Sequence, residues 1–245
     1  MNPASPSAVD TYPRIADDAL PWLTREDMIE VDRVMMQDLG IDLVRMMENA
    51  GRNLAQLAID RFAPSSVTVL AGTGGNGGGG LVAARHLANR GVDVSVTLTG
   101  PADELRGVPA EQAAMLQRID VPIADTPRAG DLVLDAILGY SLDGAPRGRA
   151  VDLIAAVPEL APAALSLDTP SGLDVTTGST PGVFVEATAT LTLAAPKIGL
   201  RDAAAVGELY VADISVPPAV YQAMDLRPML FTTAPIVRFE PRRAG

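Results

Sequence analysis

The fold of this chain is decided by the stretch Val67-Thr-Val-Leu-Ala-Gly72-Thr-Gly74-Gly75-Asn76-Gly77-Gly78-Gly79-Gly80-Leu81. Residues 67–71 form an uninterrupted run of apolar and β-branched side chains, which predicts a buried strand. Apolar residues then recur at helical spacing from Leu81, and Gly91 stands where a glycine would end the helix. A buried strand followed by a turn and a helix predicts the start of a parallel βαβ unit.

Glycine fills seven of the nine positions from Gly72 to Gly80. Because glycine costs roughly 1 kcal/mol inside a helix or strand, so many glycines must serve the backbone itself. We expect a loop whose bare N–H groups approach an anion or a nucleotide, with the positive end of the following helix behind it. The alternative is simply a tight turn. The spacing matches neither the dinucleotide fingerprint nor the Walker pattern, so the glycines alone do not identify a nucleotide.

The composition of the whole chain argues against several classes of protein. The net charge is −11, and no basic cluster is longer than Arg242-Arg243, so we expect no nucleic-acid binding. No apolar run reaches the roughly 20 residues of a membrane span. The chain has no cysteine, which suits a cytoplasmic protein, and its single histidine excludes a metal site built on histidines. We therefore expect a soluble, cytoplasmic protein with no membrane partner.

One domain is expected, because a chain of 245 residues that is 48% hydrophobic can bury a single sizeable core. The proline-containing start favours a flexible N-terminal arm over residues 1–21. The domain itself is expected over residues 22–226, followed by a C-terminal tail over residues 227–245. Within the domain, we expect helices at about 24–40, 43–59, 81–90, 109–118, 151–157 and 217–224, and strands at about 67–71, 92–98, 131–139, 165–168, 189–195 and 209–214.

Two of the expected strands end in an aspartate, at Asp135 and at Asp168. The tips of parallel strands meet at one edge of a sheet, and that edge also carries the glycine loop. We therefore expect Asp135, Asp168 and the loop to share one crevice. The turn Pro170-Ser171-Gly172 follows and presents a hydroxyl group there. Each aspartate alone could be a helix cap, but the whole set predicts a site.

Five motifs follow one another along the chain: Met47-Glu48-Asn49-Ala50-Gly51, the glycine stretch with Leu81-Val-Ala-Ala-Arg-His-Leu, Asp135-Ala-Ile-Leu-Gly139, Asp168-Thr-Pro170-Ser171-Gly172-Leu-Asp174 and Ala195-Pro196-Lys197. In this order they resemble the motifs of the NAD(P)HX epimerase family, also called the YjeF N-terminal domain. The resemblance covers about residues 22–225. It implies a three-layer α/β/α, Rossmann-like domain with a mostly parallel central sheet, often a homodimer.

The resemblance also implies an activity. Members of the family invert the hydroxylated carbon of hydrated NADH or NADPH, so that a separate NAD(P)HX dehydratase can repair both epimers. A potassium ion usually sits in the site, and the matching positions are Asn76, Asp135 and Ser171, all oxygen ligands. Asp168 matches the residue expected to transfer a proton. The substrate contacts implied by the resemblance are Gly75, Asn76, Gly77, Gly78, Gly79, Gly139, Tyr140, Ser141, Leu142, Asp143, Gly144, Ala145 and Asp168.

The glycine stretch departs from the family at two positions. The family pattern Gly-x-Gly-Asn-Asn-Gly-Gly-Asp-Gly has asparagine where this chain has Gly75, and aspartate where it has Gly79. We expect Gly79→Asp to change ligand preference without unfolding the protein, because a surface loop would tolerate the side chain. Two alternatives to the epimerase stay open: a nucleotide- or metabolite-binding or interaction module without turnover, and an enzyme for another phosphorylated small molecule.

Overall fold

Eight strands form one continuous sheet in the computed structural model, which describes residues 12–240. The strands are β1 Arg14–Ala16, β2 Ser66–Ala71, β3 Asp93–Leu98, β4 Leu132–Ala136, β5 Ala164–Leu167, β6 Ala189–Leu193, β7 Glu208–Ala212 and β8 Ile236–Glu240. Their order across the sheet is β1-β8-β7-β6-β5-β4-β2-β3. Every neighbouring pair is parallel except β7 and β8, which are antiparallel. The mostly parallel central sheet is therefore confirmed.

Helices connect most of the strands. They are α1 Arg25–Arg33, α2 Leu43–Phe62, α3 Gly75–Ala88, α4 Gly107–Arg118, α5 Arg149–Leu160 and α6 Pro218–Ala223. A π-helical turn, Val34–Asp38, continues α1, and short 3₁₀ turns cover Asp17–Ala19, Ala102–Glu104, Ile198–Leu200 and Ala204–Val206. Across residues 12–240, no helix has both the length and the apolar character needed to cross a bilayer.

Side chains of the central strands alternate between two apolar layers, one on each face of the sheet. Val69 and Leu134 belong to the larger layer, together with buried residues of α2, α3 and α4. Leu70 and Val133 belong to the other layer, together with buried residues of α5. Because both faces are covered by helices, the central strands are almost entirely buried and most of their side chains are apolar, as in parallel strands generally. The three-layer α/β/α architecture expected from the sequence is confirmed.

Two strands lie outside the domain limits expected from the sequence. Strand β1 belongs to the segment expected to be a flexible arm, and β8 belongs to the expected tail. Their residues pair in parallel with each other, and β8 also pairs with β7. The rings of Trp22 and Phe239 meet edge to face at 5.4 Å and help to join the two ends of the chain. The sheet thus extends beyond residues 22–226, while residues 1–11 and 241–245 lie outside the described residues.

The glycine stretch is mostly helix, which corrects the expectation of a loop. Helix α3 already begins at Gly75, and residues 77–80 are buried in its first turns. A Cβ atom on Gly80 would lie 2.4 Å from the Cβ atom of Ala136 in β4. No real pair of carbon atoms packs that closely, so glycine lets this helix approach the sheet further than any side chain would allow.

Helix α3 also meets α2 through glycine. A Cβ atom on Gly51 of α2 would lie 2.5 Å from the carbonyl oxygen of Gly79. Gly79 is itself buried, and a Cβ atom there would lie 2.8 Å from Cδ2 of Leu167. The expectation that Gly79 belongs to a surface loop is therefore wrong. Gly79→Asp would bring a carboxylate into the packed interior, where an unpaired charge is costly.

Two alanine substitutions in α3 separate close packing from helix propensity. Alanine favours a helix by about 1 kcal/mol over glycine, whereas overpacking a core costs about 1–3 kcal/mol. Gly80→Ala presses its methyl group against Ala136, which is fixed in β4, so we expect a lower free energy of unfolding. Gly79→Ala meets the end of the Leu167 side chain, which can rotate away, so we expect little change. Chemical denaturation checks both variants, and equal stabilities would contradict the packing role of Gly80.

Candidate active site

A cavity of about 240 Å³ opens at the carboxyl ends of the parallel strands, the edge at which open α/β sheets bind ligands. The turns after β2, β4 and β5 bring Gly75, Tyr140 and Asp168 to it. Its volume suits a single ring rather than a whole dinucleotide, since pockets for drug-sized ligands measure roughly 300–1,000 Å³. The cavity is lined by Met28, Asp32, Met36, Leu43, Met47, Gly75, Asn76, Gly139, Tyr140, Ser141, Asp168, Leu193, Lys197 and Ile214.

Helix α1 covers one side of the cavity. It begins at a capping box, in which the hydroxyl group of Thr24 accepts from the N–H of Asp27 and the Asp27 carboxylate accepts from the N–H of Thr24. From the first turn, the guanidinium group of Arg25 donates to the carbonyl oxygen of Ser141 at 3.1 Å. This contact ties α1 to the turn that follows β4, so the two walls hold each other in place.

A buried ion pair lies in the cavity wall. Asp168 directly follows β5 and has φ 67°, a left-handed conformation that non-glycine residues rarely adopt. Nζ of Lys197 lies 2.5 Å from its Oδ1 atom, and the lysine side chain is 0% exposed. The same ammonium group donates to Oγ1 of Thr192 at 3.1 Å and to the carbonyl oxygen of Leu193 at 2.9 Å. All three N–H bonds of Lys197 are therefore used, and the pair is held in one geometry.

The second carboxylate oxygen of Asp168 fixes the turn that follows β4. Its Oδ2 atom accepts a hydrogen bond from the main-chain N–H of Tyr140 at 3.0 Å. Gly139 fits tightly beside it: a Cβ atom there would lie 3.3 Å from this Oδ2 and 3.2 Å from Cγ of Asn76. The structure thus brings together Asn76, the turn at residues 139–141 and Asp168.

Tyr140 links Asp168 to a second carboxyl group, that of Asp32. The hydroxyl group of Tyr140 donates to Oδ2 of Asp32 at 2.5 Å. Burial raises the pKa of Asp32, while the hydrogen bond from Tyr140 and the charge of Lys197 oppose this rise and the charge of Asp168 adds to it. Burial and the neighbouring Asp32 carboxyl group also raise the pKa of Tyr140. The phenol therefore stays protonated at neutral pH.

Sequence reasoning missed Asp32 and did not assign Lys197 to the site. Lys197 did carry a signal, because it is the only lysine among the 19 basic residues of the chain. Asp32 carried none, since it is one of several acidic residues near the start of the domain, and only the fold turns it toward the cavity. Apolar wall residues such as Met28 and Met47 follow the helical spacing of core residues, so their role in the lining is equally hidden.

Asp135 and Ser171 are joined to each other but are not part of the cavity lining. The hydroxyl group of Ser171 donates to Oδ1 of Asp135 at 2.5 Å, and its N–H donates to Oδ2 at 2.8 Å. The hydroxyl group of Ser166 also donates to Oδ2, at 2.8 Å. Burial raises the pKa of Asp135, and these hydrogen bonds oppose the rise. The expected shared crevice therefore contains Asp168 and the start of α3, with Asp135 buried outside it.

The residues expected to bind potassium fit a cation in their chemistry. Nδ2 of Asn76 is buried and has no hydrogen-bond partner among residues 12–240. A half-turn of the amide group exchanges its nitrogen and oxygen atoms, so the same position suits an oxygen that faces a cation. The N–H of Leu138 donates to Oγ of Ser171 at 2.9 Å, and a Cβ atom on the next residue, Gly139, would lie 3.2 Å from Cγ of Asn76. The turn after β4 therefore runs close to both proposed ligands. Over the described range, His, Cys, Asp and Glu form no cluster of three that could hold a metal.

The expected substrate contacts divide into two groups. Six of them line the cavity, namely Gly75, Asn76, Gly139, Tyr140, Ser141 and Asp168. The others lie outside its lining: Gly77, Gly78 and Gly79 are buried in α3, and Leu142, Asp143, Gly144 and Ala145 continue the turn after Ser141. The cavity therefore uses the first residues of α3 and the first residues of the turn after β4.

This arrangement can hold a polar ring and exchange protons with it. A carboxylate paired with an ammonium group lies on one side, and a phenol bound to a carboxyl group lies on another, which are groups that serve as acids and bases. The first N–H groups of α3, at residues 75–77, lack partners within the helix because they belong to its first turn. Together with the helix dipole they favour an anion such as a phosphate beside the cavity.

Comparison with known proteins gives a consistent picture. The family model described as YjeF-related protein N-terminus matches residues 44–199. An NAD(P)H-hydrate epimerase of Dehalogenimonas lykanthroporepellens is 46% identical, over 85% of this chain and 88% of the relative. The bifunctional NAD(P)H-hydrate repair enzyme Nnr of Hyperthermus butylicus is 43% identical, over 74% of this chain but 36% of that longer protein. The crystal structure of yeast ynu0, 24% identical, superposes with a TM-score of 0.74 over 89% of this chain and 100% of the other, which supports the fold. The chain therefore belongs to the family of YjeF-related protein N-terminal domains.

Proposed function

We propose that this chain interconverts the two epimers of hydrated NADH and of hydrated NADPH. The observation that carries the proposal is the buried pair of Asp168 and Lys197 in a cavity at the ligand-binding edge of the sheet. The name of the relative from Dehalogenimonas lykanthroporepellens, NAD(P)H-hydrate epimerase, supports the same reaction.

The reaction inverts a carbon that bears both a hydroxyl group and the ring nitrogen, because water added to the enamine of a dihydronicotinamide places its hydroxyl group beside the nitrogen. Inversion requires a proton to reach that hydroxyl group and another to be removed. Asp168 lies in the cavity wall and can exchange such a proton with a bound ring. Lys197 and the N–H of Tyr140 fix its two oxygen atoms, which orients the carboxylate before the substrate binds.

The remaining parts of a dinucleotide would lie outside the cavity. Its volume of about 240 Å³ admits the reacting ring only. The phosphates are best placed at the start of α3, where Gly75 and Asn76 line the cavity and the N–H groups of the first turn are free of helical partners. The net charge of −11 repels an anion at long range, so this local positive end would matter for binding the phosphates.

We also propose a potassium ion as cofactor, held by Asn76, Asp135 and Ser171. Amide, carboxylate and hydroxyl oxygens are the ligands that hard cations prefer. The unpartnered buried amide of Asn76 supports the assignment. When bound, such an ion would supply positive charge near the turn at residues 138–139 and so favour an anionic ligand.

A separate NAD(P)HX dehydratase is the functional partner we propose, because an epimerase is useful only where another enzyme consumes one epimer. The match to bifunctional repair enzymes supports this link, since the chain corresponds to 36% of the relative from Hyperthermus butylicus. A cytoplasmic location is proposed as well, which the cysteine-free sequence supports. We propose no nucleic-acid or membrane partner for a chain with this charge.

A nucleotide-binding module without turnover is the second candidate. Gly75 and Gly79 favour it, because they replace the asparagine and aspartate of the family pattern. Gly75 lines the cavity, whereas Gly79 is buried in α3 and lies outside the lining. Only the change at Gly75 therefore alters the surface that a substrate would contact.

Asp168→Asn is expected to slow epimerisation by about 10²- to 10⁴-fold, because it removes the group that carries the proton. It is also expected to lower the free energy of unfolding, since Lys197 loses its charged partner in a buried position. The epimer that a dehydratase does not accept is incubated with the protein and with a separate dehydratase, which removes the other epimer as it forms. Chromatography measures the rate at which the first epimer disappears. If the wild-type protein does not exceed the spontaneous rate of epimerisation, the epimerase is contradicted and the nucleotide-binding module without turnover is favoured. If the Asp168→Asn variant is as active as the wild-type protein, another group transfers the proton.

Potassium is expected to raise the melting temperature of the wild-type protein more than sodium at equal ionic strength. Asp135→Ala should remove this difference, because it removes the proposed charged ligand. The variant also loses the hydrogen bonds of Ser171 and Ser166, so the difference between the two salts is the readout, rather than the melting temperature itself. Asp152→Ala, at an exposed position of α5, is the matched control and should keep the difference. Identical melting curves of the wild-type protein in both salts would contradict a selective potassium site.

We propose that the protein forms a homodimer whose interface contains the exposed apolar residues of α1 and of the turn that follows it. Ile29 is 50% exposed and Leu39 is 48% exposed, and the half-exposed Met36 between them also lines the cavity. Large apolar side chains that are exposed close together favour an interface. Sedimentation analysis should give the mass of two chains for the wild-type protein and of one chain for Leu39→Glu. Leu230→Glu, at another exposed leucine, is the control that should stay dimeric. A wild-type protein with the mass of one chain at every concentration would contradict the dimer.

A further inference from the structure

Asp32 is a half-buried acidic group with no part in the proton transfer by Asp168. It lines the cavity from α1, and its Oδ2 atom accepts the hydrogen bond of the Tyr140 hydroxyl group at 2.5 Å. Its Oδ1 atom has no hydrogen-bond partner within residues 12–240. A carboxyl group with one fixed oxygen and one free oxygen in a substrate cavity is available for proton transfer.

The two carboxyl groups of the cavity are held at opposite ends of one residue. The main-chain N–H of Tyr140 binds Asp168, and its phenol binds Asp32, so the tyrosine side chain separates them. The single ammonium group, that of Lys197, lies 2.5 Å from Asp168 and 6.0 Å from the centre of the Tyr140 ring. Asp168 thus has a cationic partner, whereas Asp32 has a neutral one.

We propose that Asp32 is a second catalytic residue of the epimerisation, acting on the face of the substrate ring opposite to Asp168. The proposal rests on the proposed function, and it concerns a different residue and a different face of the ring. Inversion at this carbon removes water from one face and adds water to the other, so an acid–base group on each face would serve both half-reactions. The positions of Asp168 on the sheet edge and of Asp32 on α1 supply the two groups from two walls of one cavity.

The step balances without any further reactant. The lone pair of the ring nitrogen forms a C=N bond as the C–O bond breaks, and the leaving oxygen takes a proton from the acid on its own face and departs as water. A water molecule then adds to the opposite face of the cation, and the carboxylate on that face takes its extra proton. One carboxyl group has lost a proton and the other has gained one, so the next turnover in the same direction follows proton exchange with solvent. In the reverse direction, the two groups exchange roles.

The surroundings of Asp32 keep a proton on it more readily than on an exposed aspartate. Burial is the main reason why its pKa is raised. The other groups that influence it are Tyr140 and Lys197, which lower its pKa, and Asp168, which raises it. Arg25, also on α1, donates to the carbonyl oxygen of Ser141 in the turn that carries Tyr140. The two carboxyl groups of the cavity thus have different partners, which suits them to different roles.

Oxygen exchange with ¹⁸O-labelled water tests the two-face arrangement. Each pure epimer of the hydrate is incubated separately with the wild-type protein, Asp32→Asn and Asp168→Asn, and inversion and label uptake are measured by chromatography and mass spectrometry. We expect Asp32→Asn to invert the carbon about 10²- to 10⁴-fold more slowly than the wild-type protein. Each variant keeps the carboxyl group on one face of the ring, where water can still leave and add again. Each variant should therefore exchange the hydroxyl oxygen of one epimer without inverting the carbon, and the two variants should act on opposite epimers.

Two control variants make the outcome decisive. Glu26→Gln, at an exposed position of α1, should behave as the wild-type protein does. Asp32→Glu keeps a carboxyl group and should invert faster than Asp32→Asn, which a purely structural role of Asp32 does not predict. The proposal is overturned if Asp32→Asn inverts the carbon at the wild-type rate. It is also overturned if Asp32→Asn and Asp168→Asn exchange the oxygen of the same epimer, or of neither. A wild-type protein that accelerates neither inversion nor exchange would instead overturn the proposed function.

Discussion

The buried ion pair between Lys197 and Asp168 is the constraint on which the rest of the site depends. Removing two charges from water costs several kcal/mol for each ion, and attraction repays this only when the remaining donors and acceptors are satisfied. Here the ammonium group also binds Thr192 and the carbonyl oxygen of Leu193, so all its donors are used. The lysine must therefore sit in one place, and the end of β6 and the residue after β5 must stay together.

The same pair organises the walls of the cavity. The main chain beside Lys197 pairs with Leu23, whose N–H donates to the carbonyl oxygen of Pro196 and whose carbonyl oxygen accepts from the N–H of Ile198, both at 2.9 Å. Leu23 immediately precedes the capping box of α1, so the position of the lysine segment helps to set the position of that helix. From Asp168 the contacts continue through Tyr140 to Asp32 on α1. A closed set of contacts thus joins the sheet edge to the helix that covers it.

The sequence predicted the fold well and the site only in part, for physical reasons. Strand runs, their aspartate ends and helix spacing are local properties, so the parallel sheet and the place of Asp168 could be predicted. Glycine is ambiguous, because the absence of a side chain serves both ligand approach and helix packing, and only the fold shows that Gly80 packs against Ala136. Asp32 and Lys197 reach the cavity through contacts between distant segments of the chain, and the spacing of apolar residues in the sequence does not indicate such contacts. Strand β1 spans three residues, too few for a pattern.

The positions at which the chain departs from the family pattern have different physical meanings. Gly79 faces Leu167 and the sulfur atom of Met47 inside the protein, so the loss of an acidic side chain there changes packing behind the cavity. Gly75 lines the cavity itself, and a Cβ atom there would lie 3.7 Å from Leu43, an ordinary contact that leaves room for a side chain. Glycine at this position therefore widens the entrance to the first turn of α3 and leaves the ion pair untouched. Such a change affects how a substrate is held more than how its protons are moved, because the carboxyl groups proposed to move protons, those of Asp168 and Asp32, lie directly after β5 and on α1.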